Sequence, residues 1–173
     1  MEIDIVNKSM KGVSLSLFKE YISYNPETGL FHWRKPRRKI SVGSPAFNTP
    51  QSSGYLEGGF MLKRFLSHRV AFFMHEGWVP SEIDHINLDR KDNRIINLRA
   101  SNPLTNSYNL PRKVDNTSGY KGVCFDKRKG KWMSRIHSDN KTHFIGYFNN
   151  KEDAALAYKE AAISKHGEFM RIE

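Results

Sequence analysis

A polar, basic stretch at residues 107–119 divides the 173-residue chain into two parts. It holds few apolar side chains and several residues that interrupt regular structure, including Pro111, Asn116 and Gly119. Each part is close to the smallest size that buries a stable core by itself. The sequence therefore predicts two small modules. The predicted domains are residues 1–110, a basic linker at residues 111–118, and residues 119–173.

The composition favours a partner that is a polyanion. The net charge is +10, 12% of the residues are aromatic, and there is no long basic tail. Nucleic acid is the leading candidate for such a folded basic surface. The lone Cys124 excludes an internal disulfide and a cysteine zinc ribbon. No stretch approaches the roughly 20 apolar residues of a membrane span, and residues 1–4 lack a secretory pattern. We expect a cytoplasmic protein that is not secreted, meets no membrane and uses no small-molecule cofactor.

The spacing of apolar residues predicts a small β subdomain at about residues 14–66. The predicted elements are a helix at 14–24, a strand at 30–34, a strand-turn-strand unit at 55–62, and a helix at 66–75. Five cations crowd around Pro36 in a predicted loop, where they could hold phosphates or simply be solvated. These cations are Arg34, Lys35, Arg37, Arg38 and Lys39.

Residues 84–99 combine a carboxylate, an imidazole and amides in a loop-then-helix segment, and Asn106 follows them. Metal-assisted phosphodiester hydrolysis needs a group that deprotonates water near neutral pH, which suits histidine. It also needs oxygen ligands for a divalent cation. Taken singly, Asp84 and His85 could form a turn and Asn97 could cap a helix. Taken together, the set favours a nuclease active site.

The spacing of this set resembles that of the HNH nucleases, in particular the homing branch of bacteriophages. The matching residues are His68, Arg69, Asp84, His85, Asp92, Asn93, Asn97, Leu98, Arg99 and Asn106. Residues 24–33 are also similar to the opening of that group, so the resemblance covers about residues 14–109. It implies that an antiparallel ribbon and a helix, at about residues 67–110, enclose one metal ion in a ββα-metal core.

The resemblance also implies a role for each site residue. His85 would be the general base, Asp84 and Asn106 would bind the metal, and Asn97 would fasten the loop backbone and orient His85. Oxygen ligands favour one Mg²⁺ or Mn²⁺ over zinc. Further candidates for phosphate contact are Arg69, Arg94 and Arg99. His68 could touch phosphate or lie hydrogen-bonded in the core.

The second part is predicted to contain three antiparallel strands and a final helix. The predicted strands are residues 120–125, 131–138 and 141–148, with a tight turn at Asp139-Asn140. The helix runs from Lys151 to Lys165 and is capped by Asn150. Its small apolar face allows close packing on the sheet. That face is predicted to hold Ala155, Tyr158 and Ala162, flanked by Ala154 and Ala161.

Glycine and aromatic landmarks at residues 117–169 resemble the AP-two, or ethylene-response-factor, DNA-binding domain. The resemblance implies a three-stranded sheet with a helix on one face and DNA on the other. Alternation would direct Trp132, Ser134 and Ile136 towards the helix. The residues expected to face DNA are Met133, Arg135, His137, Thr142 and Phe144. Further contact candidates are Arg112, Lys113, Lys121, Arg128 and Lys131. The alternative is a small protein-binding module.

The sequence therefore predicts an α+β protein that acts on double-stranded DNA. The favoured function is a metal-dependent, phage-type homing endonuclease that works as a monomer in the host cytoplasm and nicks its substrate. One alternative is a sequence-specific DNA-binding regulator that retains an inactive HNH fold. Another alternative is a nuclease that acts on RNA or structured nucleic acid.

Overall fold

The fold is described from a computed structural model, which describes residues 10–171. Residues 1–4, the basis for expecting no secretory signal, lie outside the described residues. The chain divides into two compact units, Met1–Asn102 and Pro103–Glu173. Both units mix helices with small antiparallel sheets, so the fold class is α+β. Within residues 10–171, no helix combines the length and the apolar character that a bilayer crossing requires.

The first unit contains two helices, two small sheets and a two-stranded ribbon among its described residues. Its elements are α1 (Leu15–Tyr21), β1 (Ile22–Tyr24), β2 (Phe31–Trp33), β3 (Pro45–Ala46), β4 (Thr49–Pro50), β5 (Leu56–Phe60), β6 (Lys63–Leu66), α2 (Ser67–Glu76), β7 (Glu82–His85), a 3-10 turn (Ile95–Asn97) and β8 (Leu98–Ser101). The sheet orders are β1-β2-β3 and β4-β5-β6, and β7 pairs with β8.

An aromatic core holds the first unit together. Phe18 of α1 is fully buried, and its ring lies 5.0 Å from Phe60 and 5.3 Å from Phe65. Ile83 of β7 and Leu98 of β8 belong to the same buried cluster. The ribbon is therefore anchored in the main core, and its polar residues are carried on a rigid support.

Two sequence predictions in this unit are wrong in detail. The helix expected at residues 14–24 ends at Tyr21, and the last three residues form β1. The strand-turn-strand unit expected within residues 55–62 holds only its first strand and the turn, because the second strand begins at Lys63. Gly58 lies inside β5, where an added Cβ would meet Phe47 at 2.7 Å. This glycine reflects close packing rather than a turn.

The second unit is a three-stranded sheet with helices. Its elements are α3 (Pro103–Asn109), β9 (Val123–Asp126), β10 (Lys131–Ser138), β11 (Lys141–Phe148), α4 (Lys151–His166) and a 3-10 turn (Gly167–Phe169). The strand order is β11-β10-β9, and all pairings are antiparallel. The predicted linker at residues 111–118 falls inside this unit.

Helix α4 covers one face of the sheet, as predicted. Asn150 caps it by accepting a hydrogen bond from the Asp153 backbone N–H at 2.8 Å. The buried face of the helix contains Ala154, Tyr158 and Ala162. Ala155, which the sequence pattern assigned to this face, is only half-buried. The buried positions repeat every four residues, because side chains at i and i+4 share a face of a helix.

Candidate functional site

The candidate catalytic residues lie at the end of the β7–β8 ribbon. Asp84 and His85 are the last two residues of β7, and they pair across the ribbon with Arg99 and Leu98. The chain then forms a loop before returning through the 3-10 turn. The backbone N–H of Ile86 donates to the Asn97 carbonyl at 3.0 Å, which closes the base of this loop.

The side chain of Asn97 fastens the loop from inside. Its Oδ1 accepts a hydrogen bond from the Asn87 backbone N–H at 2.9 Å, and its Nδ2 donates to the Asp92 carbonyl at 2.9 Å. Asn97 is 5% exposed, and both bonds are part-buried. The amide thus joins the start and the end of the segment that directly follows His85.

A charged group closes the same loop on its outer side. Arg94 donates from Nε to Asp92 Oδ1 at 2.8 Å and from Nη2 to Asp92 Oδ2 at 2.6 Å. Asn87 Nδ2 also donates to Asp92 Oδ2 at 2.8 Å. The hydrogen bonds from Arg94 contribute most to lowering the pKa of Asp92 to about 2. Asp92 is therefore a fixed anion that organises the loop.

The segment at residues 24–33, which resembles the first segment of the HNH nucleases, contacts and supports this loop. The Tyr24 hydroxyl donates to the Asn93 carbonyl at 2.8 Å. The Ile95 backbone N–H donates to the Pro26 carbonyl at 2.9 Å. Gly29 has a φ of +72°, and an added Cβ would lie 2.6 Å from the backbone nitrogen of Arg94. A side chain at this position would push the loop away.

His85 is enclosed mainly by other polar rings. Its ring centroid lies 5.1 Å from that of His68 and 5.8 Å from that of Tyr55. His85 is 4% exposed, and burial lowers its pKa by more than the Asn93 side chain and nearby carboxylates raise it. The imidazole is therefore neutral at pH 7, which is the form that accepts a proton.

His68 is an inward-facing partner of this site rather than a surface residue. It lies on α2 and is 5% exposed, and its ring centroid is 4.8 Å from that of Tyr55. Burial is the main cause that lowers the pKa of His68 to about 3. The sequence pattern included His68 but left open whether it touches phosphate or lies in the core. Tyr55 was not assigned to the site from sequence, because only the tertiary packing brings it beside His85.

Asp84 forms a shielded ion pair with Arg99. Its Oδ2 accepts from Arg99 Nε at 2.8 Å and from Nη2 at 2.6 Å. The two side chains are 4% and 11% exposed. Arg99 therefore directs two donors of its guanidinium at one oxygen of the candidate metal ligand.

The sheet of the second unit presents an exposed face opposite α4. Ser134 and Ile136 are buried, whereas Arg135 and His137 are exposed. Across the sheet, Arg135 pairs with Phe144 and His137 pairs with Thr142. Met133 is half-buried and pairs with Tyr147. The exposed face therefore combines a guanidinium and an imidazole with Phe144, which is 58% exposed.

Comparisons with known proteins match both parts of the chain. A family model described as HNH endonuclease matches residues 65–108, and one described as AP2 domain matches residues 118–168. Protein 3.8 of Escherichia phage T7 is 32% identical over 90 residues, which are 52% of this chain and 74% of that protein. The chain belongs to the HNH endonuclease family. No solved structure matches it.

This HNH endonuclease-family protein is also similar to AP2-like plant proteins. The AP2-like ethylene-responsive transcription factor TOE2 of Arabidopsis thaliana is 37% identical over 67 residues, 39% of this chain and 13% of the relative. The AP2-like ethylene-responsive transcription factor CRL5 of Oryza sativa subsp. japonica is 30% identical over 119 residues, which are 64% of this chain and 18% of that protein. The chain thus spans less than a fifth of each plant relative.

Asn106, the last residue of the HNH pattern, lies on α3 and belongs to the second unit. Within that unit the carboxyl end of α3 is held firmly. Lys121 Nζ donates to the carbonyls of Tyr108 and Leu110 at 2.7 and 2.6 Å. The Tyr108 ring stacks on His166 with centroids 3.8 Å apart. Through these two hydrogen bonds Lys121 holds the end of α3 and the residue after it, and burial lowers its pKa to about 8.

Several cations of the first unit that the sequence offered as phosphate contacts have structural partners. Arg34 donates to the Lys19 carbonyl at 2.9 Å, and Lys35 pairs with Glu20. Arg37 lies 4.5 Å over the Trp33 ring.

Arg69 also has structural partners, because it donates to the carbonyls of Pro80 and Ser81 at 3.1 and 3.3 Å. Arg38 and Lys39 are exposed in their loop. Of the cations around Pro36, these two are therefore the best placed to meet DNA.

Proposed function

We propose that this HNH endonuclease-family protein is a metal-dependent, homing-type enzyme that hydrolyses phosphodiester bonds in duplex DNA. Residues 1–110 supply the nuclease, residues 119–173 grip DNA, and residues 111–118 link the two functions. The observation that carries the proposal is the double hydrogen bond of Asn97, which fixes the loop directly after His85. A general base must be held in place to act on one water molecule.

His85 acts as the general base in this proposal. Its neutral imidazole accepts a proton from water while the water oxygen forms a new bond to phosphorus. The bond from phosphorus to the 3′ oxygen breaks, and that oxygen leaves with the electron pair and takes a proton from solvent water. The products are a 5′ phosphate and a 3′ hydroxyl. Asn97 is a positioning residue, because it contacts the loop and not the reacting atoms.

Asp84 and Asn106 are the proposed ligands of one Mg²⁺ or Mn²⁺. A carboxylate and an amide suit a hard cation that keeps several of its waters. A carboxylate has about four lone-pair sites, so Asp84 can bind a cation while its Oδ2 accepts from Arg99. The donor chemistry therefore fits the ion. When bound, the ion supplies positive charge that stabilises the scissile phosphate and the leaving oxygen.

DNA can reach Asp84 and His85 only if the groups that cover them move. Asp84 and His85 are 3% and 4% exposed, so water alone barely reaches them. We infer that DNA binding displaces the groups that cover these two residues. Such a step would keep the base inactive until the substrate is in place.

The AP2 domain supplies most of the proposed grip on DNA. Its exposed sheet face would enter the major groove, where Arg135 can contact guanine and an apolar side chain can contact the thymine methyl. The proposed groove residues are Met133, Arg135, His137, Thr142 and Phe144. The proposed phosphate contacts are Arg38, Lys39, Arg112, Lys113, Arg128 and Lys131. We propose that the protein acts in the host cytoplasm, as a monomer that nicks one strand.

A plasmid assay tests this proposal. Random-sequence duplexes are first selected by binding to the protein, and the selected sequence is cloned into a supercoiled plasmid. We expect nicking with Mg²⁺ or Mn²⁺, none with chelator, and none with His85→Ala. His75→Ala is the matched control, because His75 is exposed and pairs only with its neighbour Glu76 among the contacts of residues 10–171. Binding without metal-dependent cleavage would instead indicate a DNA-binding regulator.

A further inference from the structure

The turn of the β5–β6 hairpin carries apolar residues where such turns favour polar residues or glycine. Phe60 pairs with Lys63, so Met61 and Leu62 form the whole turn. Their φ angles are 47° and 61°. Positive φ at both positions defines a type I′ turn, for which Asn-Gly is favoured because bulky side chains are strained there.

The corresponding turn of the second unit shows the usual chemistry. Asp139 and Asn140 connect β10 to β11 with φ angles of 53° and 59°. Short polar side chains tolerate this backbone because they hydrogen-bond locally. The same turn geometry is therefore built from favourable residues in one hairpin and from unfavourable ones in the other.

The apolar turn makes little contribution to packing. Leu62 is completely exposed and Met61 is 38% exposed. The strands on either side each place a phenylalanine in the core, since Phe60 is 1% and Phe65 is 5% exposed. The hairpin is thus anchored in the core while its tip extends into solvent. Leu62 gains no burial within the protein that would offset the backbone strain of its positive φ angle.

Cations surround the tip. Lys63 Nζ donates to the Lys11 carbonyl at 2.5 Å, and Lys11 Nζ donates to the Arg64 carbonyl at 2.6 Å. The Arg64 side chain is 63% exposed and pairs with Glu57. Three cations against one carboxylate leave the region positive. An apolar tip within a positive surface is complementary to duplex DNA, which has apolar base faces between charged backbones.

We propose that Met61 and Leu62 form a wedge that inserts between adjacent base pairs of duplex DNA. Lys11, Lys63 and Arg64 keep their structural partners and supply the positive charge that attracts the phosphates beside the opened step. Insertion of apolar side chains unstacks a step and bends the duplex. The proposal rests on the proposed function only for its substrate, duplex DNA, and it does not require that the DNA be cut.

The decisive variant is Met61→Asn combined with Leu62→Gly, which installs the favoured type I′ turn. We expect its Tm to equal or exceed that of the wild type. We expect its affinity for a selected duplex to fall about tenfold, because two apolar contacts are lost. Bending is measured by energy transfer between dyes at the two duplex ends. The turn variant should fail to bend the duplex both with Mg²⁺ and with chelator.

Two further variants separate the wedge from general effects. Leu156→Gln removes another exposed apolar side chain, 56% exposed on α4, and should leave affinity and bending unchanged. The slope of log K against log salt concentration should become smaller in magnitude by about 0.9 for Lys63→Gln. The turn variant should leave that slope unchanged.

The wedge proposal is wrong if the turn variant binds and bends DNA like the wild type. It is also wrong if the variant loses only self-association in sedimentation, since the tip would then contact a second protein copy. A wild-type protein that bends DNA but fails to cut it would contradict the proposed nuclease function and leave the wedge intact. The two failures are therefore distinguishable.

Discussion

At the residue scale, Asn97 illustrates why an amide is needed at one position of the site. One end of its side chain accepts from the Asn87 N–H and the other donates to the Asp92 carbonyl. Aspartate could only accept, and alanine could do neither. Because the loop begins directly after His85, these two bonds control the position of the proposed base.

Replacing Asn97 with alanine should therefore affect stability as well as activity. Two part-buried backbone groups would lose their partners, and we expect a loss of about 1–3 kcal/mol in the free energy of unfolding. Cleavage should fall by less than the about 100- to 10,000-fold expected for His85→Ala. Urea unfolding and nicking rates measure both effects. An unchanged unfolding free energy for Asn97→Ala would contradict the role assigned to its hydrogen bonds.

His68 should make the protein less stable in acid. Its pKa is lowered to about 3 in the folded protein, while the unfolded chain has the ordinary value of 6.5. Between these values the unfolded state binds the extra proton, so stability decreases as pH falls below 6.5. His68→Gln should lose less stability than the wild type between pH 7 and pH 5 in urea titrations. Equal losses would contradict the buried, neutral state of His68.

The candidate site was predicted from the spacing of Asp84, His85 and Asn97 along the chain. That spacing did not identify the Asp84–Arg99 pair, because cross-strand register is needed to oppose those two residues. It also did not assign Tyr55, which reaches His85 only through the packing of separate elements. Spacing along the chain reports local geometry, whereas these contacts depend on tertiary structure.

At the element scale, segments with strong local signals were predicted well. Helix α4 has a capping Asn150, acidic residues in its first turn and basic residues in its last turn, and it forms where expected. Glycines were harder to interpret. Gly58 looks like a turn residue in sequence, but it is required by contact with Phe47, which is remote in the chain. Local patterns cannot distinguish a turn from a close approach.

Two glycines of the second unit allow the cost of a positive φ angle to be separated from the cost of a close contact. Gly122 and Gly119 have φ angles of +73° and +85°, but only Gly122 is crowded. An added Cβ at Gly122 would lie 2.2 Å from the Tyr158 ring, whereas Gly119 has open space. Gly119→Ala should cost about 1 kcal/mol from backbone strain alone. Gly122→Ala should cost more than about 3 kcal/mol, because the helix must move from the sheet.

Thermal unfolding monitored by circular dichroism compares the two glycine variants directly. The α4–sheet packing described for the second unit requires the larger decrease in Tm for Gly122→Ala. Equal Tm values would show that the helix does not lie as close to the strand.

At the scale of the whole molecule, a net charge of +10 is expected to control affinity for DNA. Each phosphate neutralised by a cation contributes a slope of about −0.9 to the dependence of log K on log salt. Arg135 lies on the exposed sheet face, whereas Lys159 is exposed on α4, which covers the opposite face. Arg135→Gln should weaken binding, and Lys159→Gln should leave it nearly unchanged.

Anisotropy titrations of a labelled duplex at several salt concentrations measure this difference. If Arg135 contacts a guanine rather than a phosphate, the variant should lose about 1–3 kcal/mol of discrimination with little change of slope. Equal affinities of Arg135→Gln and Lys159→Gln would assign DNA to a different surface.

The claim that the ribbon and its fixed loop form a nuclease site is tested most directly by measuring binding and single-turnover cleavage on the same duplex. His85→Ala should bind within about twofold of the wild type, because an uncharged side chain is lost from a buried position. Its cleavage rate should fall about 100- to 10,000-fold. Cleavage by His85→Ala at the wild-type rate, with Mg²⁺ and a saturating concentration of protein, would contradict the assignment of this site.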